Sequence, residues 1–182
     1  MITKARVAIA FVVAAVVFQA WAFTMVPEAE IFFGEPPMPD VRATGYSPEE
    51  VRNLLLEIGE QGREQYLVAQ RKIDLAIPAL GMGMFFFGLW ALADGLVVGK
   101  RRWPSRQALA LGCVGLIPGL FDYAENLLVA SIMQRGLGAF EPRLVEMASA
   151  CTQIKFAFVA LCLILVVVLG VLRWRQRRQP VV

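Results

Sequence analysis

Residues 107–133, QALALGCVGLIPGLFDYAENLLVASIM, decide how this chain is read, because a run apolar enough to cross a bilayer carries Asp122, Glu125 and Asn126 inside it. On a helix turning about 100° per residue, with Asp122 at zero, Gly115 falls near 20°, Gly119 near 60°, Pro118 near −40°, Glu125 near −60°, Asn126 near 40° and Val129 near −20°. One stripe therefore holds both the glycines and the polar groups. Gly115-x-x-x-Gly119 lets a neighbouring helix approach closely, and the carboxylates and amide further along that seam face protein rather than lipid.

Working outward, a hydrophobic fraction of 58% and a mean hydropathy of +0.59 are too high for a soluble domain. Four apolar runs, 7–26, 73–98, 108–133 and 148–172, are each long enough for a membrane helix of about 30 Å. None shows the every-second-residue alternation of a transmembrane barrel. The expected fold is all-α, a single membrane domain over 1–182 formed by an antiparallel four-transmembrane-helix bundle, with an extra amphipathic helix in the outer loop 27–72.

Charge placement supplies the orientation. Lys4 and Arg6 precede the first run, Lys100, Arg101, Arg102 and Arg106 separate the second from the third, and Arg173, Arg175, Arg177 and Arg178 follow the fourth. The long loop holds nine acids against five bases, and the loop between the third and fourth runs is balanced. The positive-inside rule then puts both termini in the cytoplasm and both mixed loops outside, in a bacterial inner (plasma) membrane. The basic clusters lie where anionic headgroups would be, so membrane lipids are the expected partners, with a membrane-protein partner or a second copy as alternatives. Nucleic acid is not expected, and Trp103 and Trp174 beside the arginines read as interfacial anchors.

Histidine is absent and Cys113, Cys151 and Cys162 form no C-x-x-C pair. Histidine-based zinc, haem or acid/base chemistry and the thiol chemistry of disulfide-forming membrane oxidoreductases are therefore excluded, and neither a metal nor a cofactor is expected. At the N-terminus the apolar run with Ala20-Trp21-Ala22 reads either as a retained helix or as a cleaved signal. The retained helix is preferred, because the run is long for a signal and Gln19 and Thr24 suit a bundle-facing side.

Between 27 and 46, three prolines in GEPPMPD (34–40) predict an extended, turn-rich segment. Ser47-Pro48-Glu49-Glu50 then makes a capping box, and Val51, Leu54, Leu55 and Ile58 recur at helical spacing, giving an amphipathic helix over about 48–70. GEQG at 59–62 lowers helix propensity and predicts a bend. Pro78, one turn after Asp74, predicts a kink near the outer surface, and Asp94 is expected to pair with the basic run from Lys100 to Arg102.

Counting inward at about 1.5 Å per residue, Gln19, Asn126 and Lys155 each lie about 12–14 Å from the outer end of their runs, Glu125 a little deeper, and Asp122 at about 20 Å. Lys155 is expected to pair with Glu125 or Asp122, and two carboxylates one turn apart require either a retained proton or Lys155 between them. The candidate polar cluster is Asp122, Glu125, Asn126, Lys155 and Gln19, with Asp74, Arg63 and Tyr66 covering an entrance and Tyr123 lining it. It reads as a device fixing helix register, as a ligand or lipid-headgroup site, as an intramembrane enzyme with Asp122 or Glu125 as general acid/base, or as part of a channel. Binding of a lipid, small ligand or partner protein is the favoured function, with an enzyme acting on a lipid or isoprenoid substrate as the alternative.

The layout of one long and one short outer loop with both ends inside resembles claudin-like tetraspan proteins in topology alone, since their paired cysteines and outer-loop tryptophan motif are missing. Gly59-x-x-Gly62-Arg63-x-x-Tyr66, Asp74-x-x-x-Pro78 and Asp122-x-x-Glu125-Asn126 together resemble a pattern of small uncharacterised bacterial four-helix integral membrane proteins. That resemblance implies a membrane bundle and no particular activity.

Overall fold

The computed structural model describes residues 3–33, 37–99 and 101–178. Among the described residues there are six α-helices: α1 (Lys4–Met25), α2 (Pro48–Ile73), α3 (Ile77–Ala93), α4 (Ser105–Val114), α5 (Ile117–Arg135) and α6 (Pro142–Arg178). A small antiparallel hairpin, β1 (Val97–Val98) with β2 (Arg101–Arg102), separates α3 from α4. Four stretches of the described residues, Lys4–Met25, Pro48–Ala93, Ser105–Arg135 and Pro142–Arg178, are long and apolar enough to cross a membrane.

Two of these stretches are broken, and in both the break precedes an Ile-Pro pair. A proline ring has no N–H to give to the carbonyl four residues back and crowds that carbonyl, so the helix restarts instead of running on. Hence α2 ends at Asp74 and α3 begins with Pro78 in its first turn, while α4 ends at Gly115 and α5 begins with Pro118 in its first turn. At Pro78 the expected kink takes the form of a short turn in which Asp74 and Ala76 keep right-handed helical dihedrals. The same break at Pro118 interrupts the helical wheel on which Gly115 and Asp122 were placed.

The capping box forms as its sequence dictates: the Ser47 hydroxyl accepts from Glu50 N–H, and the Glu50 carboxylate accepts from Ser47 N–H. Gly59 takes φ 61°, ψ −162° and bends α2 within the GEQG segment. Pro27–Phe33, expected to be extended, winds into a 3-10 helix, whose first position suits a proline with its fixed φ. Pro39–Val41 forms a further 3-10 turn, and Gly34, Glu35 and Pro36 of the GEPPMPD segment lie outside the described residues.

Helix α3 is central, packing against α1, α4, α5 and α6. Missing side chains allow this. A Cβ on Gly115 would lie 2.7 Å from backbone atoms of Phe85 and Phe86, and one on Gly112 would lie 3.0 Å from the Phe86 carbonyl. The glycines expected to bring a neighbour close thus do so against α3, although the helix carrying them is broken. Apolar side chains gather into two large clusters. In the first, Val51, Leu54, Tyr66, Val129, Met133, Val145 and Ala148 join α2, α5 and the start of α6. In the second, Phe85, Leu89, Ala108, Cys162 and Leu169 join α3, α4 and the second half of α6.

The helix of the second run stops at Ala93, earlier than the 98 expected, because Gly95 at φ 68° turns the chain into the hairpin. Asp94 also has a different partner from the one expected. Lys4 Nζ donates to its Oδ2 at 2.6 Å and the Ser105 hydroxyl to its Oδ1 at 2.7 Å, so the start of α1 ties to the turn after α3. Of the basic run expected to pair with it, Lys100 lies outside the described residues.

Gly88, also on α3, has open space where a Cβ would stand. Gly115→Ala should therefore lower the unfolding free energy in detergent by about 1–3 kcal/mol through overpacking, whereas Gly88→Ala should be neutral or stabilising by up to about 1 kcal/mol. Equal effects of the two substitutions would show that the seam between α3 and α4 is loose.

Candidate functional site

The polar side chains lie between the two apolar clusters: along α6, Val145 and Ala148 belong to the first, Cys162 and Leu169 to the second, and Lys155 falls between. One helical turn separates Asp122 from Glu125 on α5, and both point at α6. Lys155 Nζ is 3.3 Å from Asp122 Oδ1 and 2.5 Å from Glu125 Oε2, and it donates to the Asp40 carbonyl at 3.1 Å. An ammonium has three protons, and these are three oxygens. Of the two sequence-level solutions for paired carboxylates, the structure shows the one with lysine between them.

Glu125 is completely buried, and its second oxygen accepts from the Thr152 hydroxyl at 2.5 Å. Thr152 in turn lies 3.5 Å from the buried Tyr46 hydroxyl, whose ionisation burial pushes upward. Tyr46 is held there because its N–H donates to the Ser149 hydroxyl at 2.9 Å. The loop before α2 is thereby fastened to α6, which brings Asp40 over Lys155. On α2, Gln70 Nε2 donates to the Asn126 carbonyl at 2.9 Å and reaches the Tyr66 hydroxyl at 3.4 Å.

Beside this cluster opens a cavity of about 560 Å³. Its polar end is formed by Gln19, Asp40, Asp74, Asp122, Asn126 and Lys155, and its sides by apolar groups including Met82, Phe85, Val159 and Leu163. Pro78, Gly81, Pro118 and Gly119 also line it, so the space lies where α3 and α5 restart. Two acid oxygens at the polar end, Asp40 Oδ1 and Asp74 Oδ2, are buried without a hydrogen-bond partner.

Of the nine sequence candidates, Gln19, Asp74, Asp122, Asn126 and Lys155 line this cavity, and four do not. Glu125 belongs to the cluster yet is closed off from the cavity. Arg63 donates to the Met133 carbonyl at 2.9 Å and thus satisfies the C-terminal turn of α5, a structural task away from the cavity. Tyr123 donates to the Leu75 carbonyl at 2.8 Å and lines an adjoining depression that shares Asp74 and Asn126 with the cavity. Tyr66 is fully buried behind Gln70 and does not itself line the cavity. Asp40 and Val41, in the Pro39–Val41 turn, border the cavity instead. Asp40, Tyr46 and Gln70 were not among the sequence candidates. Gln70 left a readable signal, since Tyr66, Gln70 and Asp74 recur every fourth residue on one face of α2. Asp40, in a proline-rich loop, left none.

Among the described residues, no group of three or more acids, histidines or cysteines is arranged to hold a metal. The chain matches no family model, no curated protein and no solved structure.

Burial raises the Asp40 carboxyl to about 6 from an ordinary 3.8, although the Lys155 charge pulls the other way. Between those values the folded protein keeps a proton that the unfolded chain has released, so stability falls as pH rises from about 4 to 6 and then levels. Asp40→Asn removes this component. The stability of wild type relative to Asp40→Asn should drop on the order of 2–3 kcal/mol between pH 4 and 7, measured by equilibrium unfolding in detergent. A difference that does not change with pH would mean that the Asp40 carboxyl is not desolvated.

Proposed function

We propose that this protein is an integral protein of the bacterial inner membrane, an antiparallel four-helix bundle with both termini cytoplasmic, that binds a lipid or small ligand through the polar cluster and its cavity. The observation that carries this reading is the pairing, in one cavity, of a charged end with long apolar walls. A volume of about 560 Å³ falls within the range of ligand sites, roughly 300–1,000 Å³. A polar cluster serving only to fix helix register would need no such space beside it.

The surface supports the membrane placement. Val13, Val16 and Val17 on α1 and Ile164, Val167 and Val168 on α6 are large apolar side chains exposed along whole turns, which suits lipid and not water. The basic residues gather at the other end of those helices, with Lys4 tied to Asp94 there. From Arg173 to Lys155 the helix rises about 27 Å, close to the roughly 30 Å of a hydrocarbon core. On that scale Lys155 stands near the outer edge of the hydrocarbon, and the start of α6 projects beyond it with α2 and the first apolar cluster. The shallower placement follows because α6 begins at Pro142, several residues before the apolar run.

The enzyme reading, on a lipid or isoprenoid substrate, has less support from the geometry. Glu125 has no access to the cavity and Lys155 is already engaged by three oxygens, so of the two carboxylates named for acid/base work only Asp122 lines it, beside Asp40 and Asp74. The resemblance to small bacterial four-helix membrane proteins agrees with the membrane placement and adds no activity.

Gly81 lines the cavity and has open space at its Cβ position, so Gly81→Leu should fill the site without straining the fold. Wild type purified in a mild detergent should carry a bound amphiphile by native mass spectrometry. Gly81→Leu should carry at least about fivefold less, with an unchanged or higher melting temperature. Equal occupancy in the two proteins would contradict the binding reading. Turnover of a lipid substrate, abolished by Asp122→Asn, would favour the enzyme.

A further inference from the structure

We infer that the group recognised at the polar end of this cavity is a primary ammonium carried on a hydrocarbon chain; the inference rests on the ligand-binding reading above and names its chemistry. Charge comes first. Asp40, Asp74 and Asp122 line the cavity, and Glu125 stands directly behind, against the single ammonium of Lys155. All four acids lie within electrostatic reach of that ammonium, and Asp40 and Asp74 lie within reach of each other, of Asp122 and of Glu125. Low-dielectric surroundings make an excess of carboxylates costly unless further positive charge is bound or protons are held. A cationic guest relieves this directly.

Hydrogen bonding narrows the choice. Lys155 spends its three protons on Asp122, Glu125 and the Asp40 carbonyl, so no donor of its own remains for a phosphate or carboxylate guest. Beside the neutral amides of Gln19 and Asn126, what the cavity's buried and unpartnered atoms offer is acceptors, Asp40 Oδ1 and Asp74 Oδ2. A buried acceptor left unmade is penalised, and a guest that donates N–H to it removes the penalty. A quaternary ammonium has charge but no N–H, and a hydroxyl has a donor but no charge. A primary ammonium has both, with three donors.

The walls specify the rest of the molecule. From Asp74 the α3 wall continues through Met82 to Phe85, and from Lys155 the α6 wall continues through Val159 to Leu163, all apolar. Leu163 is half-exposed, so this side opens onto the exposed apolar face of α6. A hydrocarbon chain lying along these walls would enter from the lipid side with its head group at the acids. An aminophospholipid and a free long-chain amine share this chemistry.

Native mass spectrometry of the full-length protein in detergent, with competing ligands, tests the inference. In one arm, equimolar phosphatidylethanolamine, phosphatidylcholine and phosphatidylglycerol compete; in the other, dodecylamine competes with dodecyltrimethylammonium. The expected result is a preference of about tenfold for the primary amine in at least one arm, on the scale of one charged hydrogen bond. Selection of phosphatidylethanolamine identifies a phospholipid guest, and selection confined to dodecylamine identifies a free amine. Asp40→Asn with Asp74→Asn should reduce that preference to less than about twofold. Equal occupancy by all head groups, still abolished by Gly81→Leu, would overturn the ammonium inference and leave the binding reading standing. A wild-type protein that retains no amphiphile under any condition would overturn both.

Discussion

A single ammonium, that of Lys155, is shared by α5, α6 and the Pro39–Val41 turn, and the arrangement of the polar layer depends on it. Two carboxylates one helical turn apart on α5 would repel each other in apolar surroundings; Lys155 at 3.3 Å from one and 2.5 Å from the other removes that conflict. Its third proton, given to the Asp40 carbonyl, draws a proline-rich loop across the layer. Ser149 and Thr152 hold Tyr46 of the same loop from neighbouring turns of α6. Loop, α5 and α6 are therefore positioned by side chains within two turns of one helix.

Beside that layer, the two Ile-Pro pairs make the space. Pro78 and Pro118 each force a helix to restart, and both line the cavity together with Gly81, which leaves open space where a Cβ would stand, and Gly119, whose missing side chain lets Met82 pack against it. Elsewhere the same economy of side chains closes the structure: Gly112 and Gly115 press α4 onto the backbone of α3. Tight packing on one stretch and a cavity on the next thus come from one device, small residues near a proline break, used with and without a neighbour to fill the gap.

The elements that were legible in the sequence are those whose signals are local. The capping box at Ser47, the glycine bend in α2, the apolar length of four helical stretches and the grouping of Asp122, Glu125 and Lys155 all follow from periodicity and from the expense of unpaired charge in apolar surroundings. The parts that were not legible depend on contacts distant in sequence. Asp40 reaches Lys155 only because Tyr46 is tied to Ser149, and Lys4 takes Asp94 only because α1 lies along α3. The proline at 118 was read as one point on a continuous helix, although a ring without an N–H ends one.

Lys155 is the counter-ion of a buried carboxylate pair, and a double-mutant cycle between Lys155→Met and Glu125→Gln measures this most directly. In the wild-type background, Lys155→Met leaves Asp122 and Glu125 uncompensated and should cost about 3–5 kcal/mol of unfolding free energy in detergent. In the Glu125→Gln background the same substitution should cost less than half as much, giving a coupling well above the roughly 0.5 kcal/mol within which independent sites add. An equal loss in both backgrounds would contradict the central claim, because it would mean that Lys155 stabilises the fold without its charge meeting that of Glu125.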